Sequence, residues 1–249
     1  MAGDSAQKTV TVTNKLRLHV FELTAMQQSQ IIHTTINRND AVDYMLGRVM
    51  NASQQKNIEE AIDNLCENLV WTWAYYHTLS GLHKVAKDLP TLLDPYPQFI
   101  SCLYHGLFDA LFLKLHHFVD SSKGASGFPS LFKLLRRYCP DDNALLDQIR
   151  IDEESLSKEA NVHKITNWRN QVVAHLTRSH RDSEFFADNQ LHFSEIQELI
   201  AFLESTIETY SKKLLQRVND TRYPSMAVAQ EIANLLTRRD AEEQFIPEG

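Results

Sequence analysis

The sequence predicts an all-α protein, a bundle of long antiparallel helices. Three observations predict it. Gly and Pro number only seven each in 249 residues, too few for an architecture of short strands and turns. Apolar residues recur every three or four positions through most of the middle of the chain. Hydrophobic residues make up 43% of the whole, enough for a full core, which argues against global disorder. Long helices with short connections and apolar faces pack most economically as neighbours running in opposite directions.

Residues 1–55 carry the weakest pattern. Val10, Val12, Leu16, Leu18 and Val20 alternate in part, as a strand or an extended arm would. Asn39 and Asp40 stand where the cap of a helix starting at Ala41 would be. From 57 to 89 the spacing of Ile58, Ile62, Leu65, Leu69, Trp73, Tyr76, Leu79, Ala86 and Leu89 is helical, over about nine turns. Pro90, Pro95 and Pro97 then break the chain. A second helix is expected over 98–119, with Ile100, Leu103, Leu107, Leu111, Leu115 and Phe118 on one face. Phe99, Phe108, Phe112 and Val119 widen that face, so the helix should be surrounded on most sides. His105, Asp109, Lys114, His116 and His117 interrupt the run, which makes it a buried helix and not a membrane span.

Residues 120–127 have the composition of a flexible loop. A short helix is expected over 129–138. Cys139, Pro140, Asp141 and Asp142 end it and cap the next, over 143–151. An acidic stretch, 152–159, leads into another helix, and a polar loop follows His175 to about 190. Ile196, Leu199, Ile200, Leu203, Ile207, Tyr210 and Leu214 mark a helix over 194–218, and Pro224 opens a last amphipathic helix through Leu235 and Leu236. There is no internal repeat. The expected organisation is an N-terminal extension over 1–55, a helical bundle over 56–220 and a C-terminal helix over 221–249.

The formal net charge of −7 excludes nucleic-acid binding through bulk charge, so any RNA contact needs a local basic patch. Cys66, Cys102 and Cys139 share no metal-type spacing and are odd in number, which predicts reduced core thiols in a cytosolic protein. The first residues are not basic and no apolar run follows, so a cytoplasmic location without a signal peptide is expected. No metal, nucleotide or serine-hydrolase motif is present, and no cofactor is expected.

Chemistry concentrates in residues 167–175, Asn-Trp-Arg-Asn-Gln-Val-Val-Ala-His. A guanidinium can hold and neutralise a phosphate, and an imidazole moves a proton near pH 7. On a helical wheel Val162, Ile165, Val172 and Leu176 form the buried stripe, with Arg169 near its middle. A guanidinium there is costly unless it meets a carboxylate, a phosphate or carbonyls. His175 lies roughly 120° around the helix from Arg169 and about 9 Å along it. Two copies meeting across a symmetric dimer would bring both groups to one cleft. Asn170 is placed to bond across that cleft or to orient the imidazole.

This segment resembles the signature of the HEPN superfamily of small helical-bundle ribonucleases, an Arg, four to six residues, then a His near the end of a helix. Arg169 and His175 enclose five residues, and Asn170 matches the polar residue that often follows the Arg. The closer resemblance is to the abortive-infection branch of type Abi U. In that branch a helix ending in Asp and a Ser/Gly-rich loop precede a short amphipathic helix. Residues 108–120, ending in Asp120, then Ser121 and Ser122, and residues 131–137, look like that pattern. The resemblance covers about residues 56–218. It implies a HEPN-type bundle that cuts RNA without a metal, in a homodimer, by attack of a ribose 2′-hydroxyl. His175 would be the acid or base, and Arg169 would hold the phosphate. Asp120 would orient either group or touch the ribose. Arg178, His180 and Arg181 would supply local positive charge for the RNA backbone. A toxin or antiphage effector with a cognate antitoxin fits this branch. Some HEPN toxins carry a Tyr two residues after the His that a partner transferase modifies. Thr177 stands there instead, which argues against that regulation.

Simpler readings stand beside these. Arg169 alone would more often form a buried ion pair, with Asp120 or Asp109. Arg178, His180 and Arg181 would more often be a solvated loop, and Asp182 and Glu184 partly cancel them. His105 with Asp109, and His116 with Asp120, have chelate spacing, but the pairs lie nearly two turns apart and no third helix offers an obvious ligand set, so no metal is expected. Trp71, Trp73, Tyr75 and Tyr76 suit core packing better than base stacking. The alternative function is a non-catalytic helical module for dimerisation or for protein or RNA binding.

Overall fold

A computed structural model describes residues 50–88, 97–170, 188–219 and 234. All of them lie in the second of two units into which the chain divides, residues 50–249. The expected strand near 9–20, the cap at 39–40 and the helix after Pro224 fall outside the described residues.

Six helices are described: α1 (Ala52–Asp88), α2 (Pro97–Val119), α3 (Phe128–Tyr138), α4 (Asn143–Lys158), α5 (Ala160–Trp168) and α6 (Phe193–Leu215). There is no strand among the described residues. The fold is the all-α bundle that the apolar periodicity predicts. Pro97, expected as a breaker, is the first residue of α2, where its missing N–H costs nothing.

The 37 residues of α1 make a rod of roughly 55 Å and form the spine of the bundle. Ile58, Ile62, Leu65, Leu69, Tyr76 and Leu79 are buried along it. Its buried hydroxyls are satisfied locally: Thr72 Oγ1 donates to the Asn68 carbonyl at 2.7 Å and Thr78 Oγ1 to the Ala74 carbonyl at 2.8 Å. The spine runs antiparallel to α6. Tyr76 meets Gln197 at 3.2 Å near one end, and Arg217 reaches Asp63 and Glu59 near the other. Asn68 Nδ2 donates to the Lys114 carbonyl at 2.9 Å and fastens α1 to α2. The centre of the core is aromatic, with Phe118, Phe128, Phe132 and Tyr210 in successive ring contact.

Four expectations are corrected here. The helix expected over 143–151 runs on through most of the acidic stretch 152–159, because α4 continues through Lys158. Tyr210, fully buried on α6, donates its hydroxyl to Asp152 Oδ2 at 2.6 Å, and Gln148 Nε2 donates to Asp152 Oδ1 at 3.0 Å. Arg136 forms a two-bond ion pair with Glu153, one bond at 2.7 Å. These partners lie on other turns and other helices, so the acidic composition gives no sign of them.

The second correction concerns α2. Only its C-terminal half is buried, at Leu111, Phe112, Leu115 and Phe118, while Phe99 is 64% exposed and Leu113 46%. Third, residues 120–127 form a bonded loop. Asp120 Oδ1 accepts from Ser122 N at 2.9 Å, His117 Nε2 and Ser126 Oγ are 2.8 Å apart, and Ser130 Oγ donates to the Ala125 carbonyl at 2.6 Å. Gly124 has φ +90°, and a Cβ at Gly127 would fall 2.7 Å from the Phe118 carbonyl oxygen. Both glycines serve geometry more than flexibility. Fourth, not every cysteine is a core thiol. Cys139 is buried and Cys66 half-buried, but Cys102 is exposed. Burial pushes the Cys66 thiol up to about 12, which makes it inert.

Candidate functional site

The site begins with an i,i+4 ladder on α2, Phe108, Phe112 and His116, and Asp120 follows just past the end of the helix. Successive members lie one above the other on a single helix face. The two phenylalanines stack on each other with centroids 4.3 Å apart. Trp168, at the end of α5, packs against both, at 5.2 Å from Phe108 and 5.6 Å from Phe112. Its indole N–H donates to the Asn189 carbonyl at 2.8 Å, and Asn167 Nδ2 donates to Asn189 Oδ1 at 2.9 Å. The end of α5 is therefore clamped between α2 and the segment that leads into α6. Lys164 adds an ion pair to Glu195 of α6 at 3.3 Å.

This clamp decides where Arg169 points. The wheel puts Arg169 near the middle of a buried stripe. In the structure Ile165 and Trp168 take the inward positions, and Arg169 is only half-buried. Arg169 closes α5, its φ of −55° and ψ of −47° still α-helical and its N–H donating to the Ile165 and Thr166 carbonyls. Arg169 Nη1 donates to Asn170 Oδ1 at 2.9 Å. Asn170 thus steadies the guanidinium from the next position in the chain. Among the described residues no ion pair joins Arg169 to Asp120 or Asp109.

Arg169 nonetheless sits in the electrostatic neighbourhood of the upper half of the ladder. His116 is half-buried, and its pKa is lowered, first by burial and then by the Arg169 charge, against a smaller opposing pull from Asp120. Asp120 is held below the usual carboxylate range, chiefly by the Ser122 backbone N–H, with His116 and Arg169 adding to it. The result is a cation, a carboxylate kept ionised and an imidazole kept neutral, contributed by two helices. From the sequence, His116 stands out only as a possible metal-type partner of Asp120. The missing signal was the i,i+4 continuation of His116 from Phe108 and Phe112, which point at α5.

His117 faces a different surface. It lines a polar cleft of about 350 Å³ with Asn64, Glu67, Asn68, Lys114 and Ser126. Burial and Lys114 lower its pKa as well. Among the described residues no group of three His, Cys, Asp or Glu side chains is placed to hold a metal ion. Trp71, Trp73, Tyr75 and Tyr76 divide between two contacts: Trp71 stacks on Tyr75, and Trp73 packs edge-on against Tyr76. Tyr76 then meets Phe193 of α6, which is core packing. His175, Arg178, His180 and Arg181 lie outside the described residues, as do Val172 and Leu176.

A half-exposed guanidinium beside a neutral imidazole and an ionised carboxylate suits a phosphate ester and proton transfer near it. The family model described as HEPN AbiU2 matches residues 55–233, which include all but the first turn of α1, all of α2 to α6 and the Arg169 segment. No curated protein and no solved structure matches the chain. No helix among the described residues is long and apolar enough to cross a membrane.

Proposed function

The chain belongs to the AbiU2 family of HEPN proteins, and from that premise we propose that it is a metal-independent endoribonuclease. We assign it the role of a toxin or antiphage effector in abortive infection, acting in the cytoplasm. In the proposed reaction a ribose 2′-hydroxyl attacks the adjacent phosphorus. A 2′-O–P bond forms and the P–O5′ bond breaks. The products are a 2′,3′-cyclic phosphate and a free 5′-hydroxyl. Arg169 grips the phosphate and offsets its developing charge, with Asn170 holding the guanidinium fork. His175 moves a proton, and Arg178, His180 and Arg181 lie along the RNA backbone. A homodimer would supply two copies of Arg169 and His175 to one cleft.

The observation that carries this reading is the state of Arg169. It is half-exposed, steadied by Asn170 and without an ion-pair partner within 4 Å among the described residues. A non-catalytic interaction module is the second reading, favoured by the exposure of Phe99 and Leu113 on α2.

The test is cleavage of RNA by the purified full chain in EDTA. The parent should leave 2′,3′-cyclic phosphate ends, and Arg169→Ala and His175→Ala should each slow cleavage at least about 100-fold. Absence of cleavage by the parent favours the interaction module, and equal cleavage by all three places the chemistry elsewhere or in a contaminant.

A further inference from the structure

We propose that the exposed face of α2 around Gly106 is the surface on which two copies of the chain pair, α2 against α2, antiparallel about a two-fold axis at Gly106. The proposal rests on the homodimer of the reading above and deepens it, and mass, not RNA cleavage, tests it. The face is continuous and largely apolar. Phe99 is 64% exposed and Leu113 46%, and Cys102 and Gly106 between them are exposed as well. At about 100° per residue these four fall within roughly 60° of one another on the helix. They lie opposite Leu111, Phe112 and Leu115, which fill the core.

Three observations make a second copy the occupant. First, the pattern is symmetric: Phe99 lies seven residues before Gly106 and Leu113 seven after it. In an antiparallel pair centred on Gly106, each Phe99 stands level with the partner's Leu113, and Leu103 falls beside the partner's Ala110. Second, Gly106 serves no packing within its own chain. A Cβ there would meet nothing within 4 Å among the described residues, and a glycine weakens a helix interior. A second helix crossing at that point would require it, because the missing side chain lets two backbones approach closely. Third, the charges are self-complementary. His105 and Asp109 stand along one flank of the face. The two-fold keeps that flank on the same side in both copies. It sets each Asp109 only about 3 Å along the axis from the partner's His105, so a carboxylate meets an imidazole twice. Trp168 packs on Phe108 and Phe112 from the same flank, so the pairing turns both Arg169 segments to one side of the dimer.

The experiment is the dimer dissociation constant of the full chain, read by light scattering and sedimentation across micromolar concentrations. Circular dichroism establishes that each variant is folded. Phe99→Glu and Leu113→Lys should each weaken the dimer at least about 100-fold, since each sets an unpaired charge into an apolar contact twice. Mixed in equal amounts, the two variants should dimerise again. In a mixed pair the new carboxylate meets the new ammonium at one end, and the native Phe99–Leu113 contact survives at the other. Gly106→Leu should keep its helix content and weaken the dimer about tenfold or more. Ile151→Glu, at an exposed position on α4, is the control and should dimerise as the parent does. A parent that stays near its chain mass of 28.7 kDa overturns the proposal, while RNA cleavage by that monomer would leave the nuclease chemistry standing. Phe99→Glu and Leu113→Lys chains that dimerise as tightly as the parent place the interface elsewhere and overturn it too. Monomeric variants that stay monomeric on mixing overturn the antiparallel pairing at Gly106.

Discussion

Arg169 shows how one residue depends on its neighbours' packing. Trp168 packs against Phe108 and Phe112, and Arg169 next to it stays half-buried. Replacing Arg169 should therefore cost little stability, within about 0.5 kcal/mol, as for a surface site. Arg169→Lys tests the same point from the chemical side. A lysine keeps the charge but lacks the planar fork that meets two phosphate oxygens and one amide. Its melting temperature should equal the parent's while RNA cleavage drops by at least tenfold. A fall in melting temperature of several degrees would return Arg169 to a structural role. Tyr210 behaves in the opposite way. Its hydroxyl is buried with Asp152 as partner, and its pKa is raised by burial and by that carboxylate. Tyr210→Phe should destabilise the bundle by about 1–2 kcal/mol in urea titrations, because it removes a hydrogen bond to a charged group. It should leave the chemistry of the site unchanged.

At the scale of the element, the loop 120–127 sets the position of Asp120. The carboxylate is fastened by Ser122 N, and the loop returns to α2 through Ser126 and His117. Gly127 permits that return, because any larger residue meets the backbone carbonyls of His117 and Phe118. Gly127→Ala should cost about 1–3 kcal/mol by overpacking against rigid backbone, measured as a lower urea midpoint at unchanged slope. Wild-type stability of this variant would show that α2 can yield there. α4 is governed by a different logic. Asp142 caps it by accepting from Leu145 N at 2.9 Å, a signal plain in the sequence. Its second half is kept helical by contacts to Tyr210 and Arg136, and these are long-range.

The whole molecule carries a pH dependence that can be signed. The pKa values of His77, His116 and His117 are all lowered, with burial the largest cause for each. The unfolded chain takes up protons at these three positions near 6.5, while the folded chain resists them. Stability from the three imidazoles is thus fully present above pH 6.5 and is lost as the pH falls through their depressed folded values. The melting temperature should be level from about pH 7 to 8 and decline steadily from about 6.5 downward. A melting temperature that rises on acidification to pH 5 would contradict the burial of these rings. The proposed dimer is tested by light scattering, which should give roughly twice the chain mass of 28.7 kDa at micromolar concentration.

The sequence by itself determined the fold class, the approximate span of α1, α2, α3 and α6, the cap at Asp142 and the place of the Arg-Asn pair near a helix end. These are local properties. A helix writes its 3.6-residue period into its own apolar positions, and caps lie within a few residues of the turn they close. The tertiary structure decided the rest. It drew the acidic stretch into α4, left the first half of α2 largely uncovered among the described residues, bonded the Ser/Gly loop and brought Arg169 within electrostatic reach of His116 and Asp120. Each of these depends on groups far apart in the chain, Tyr210 with Asp152 or Trp168 with Phe108 and Phe112, whose meeting has no periodic trace in the sequence. The same division explains why Arg169 could be singled out from its residue type alone, while His116 became legible only when α5 was seen packed on the face it shares with Phe112.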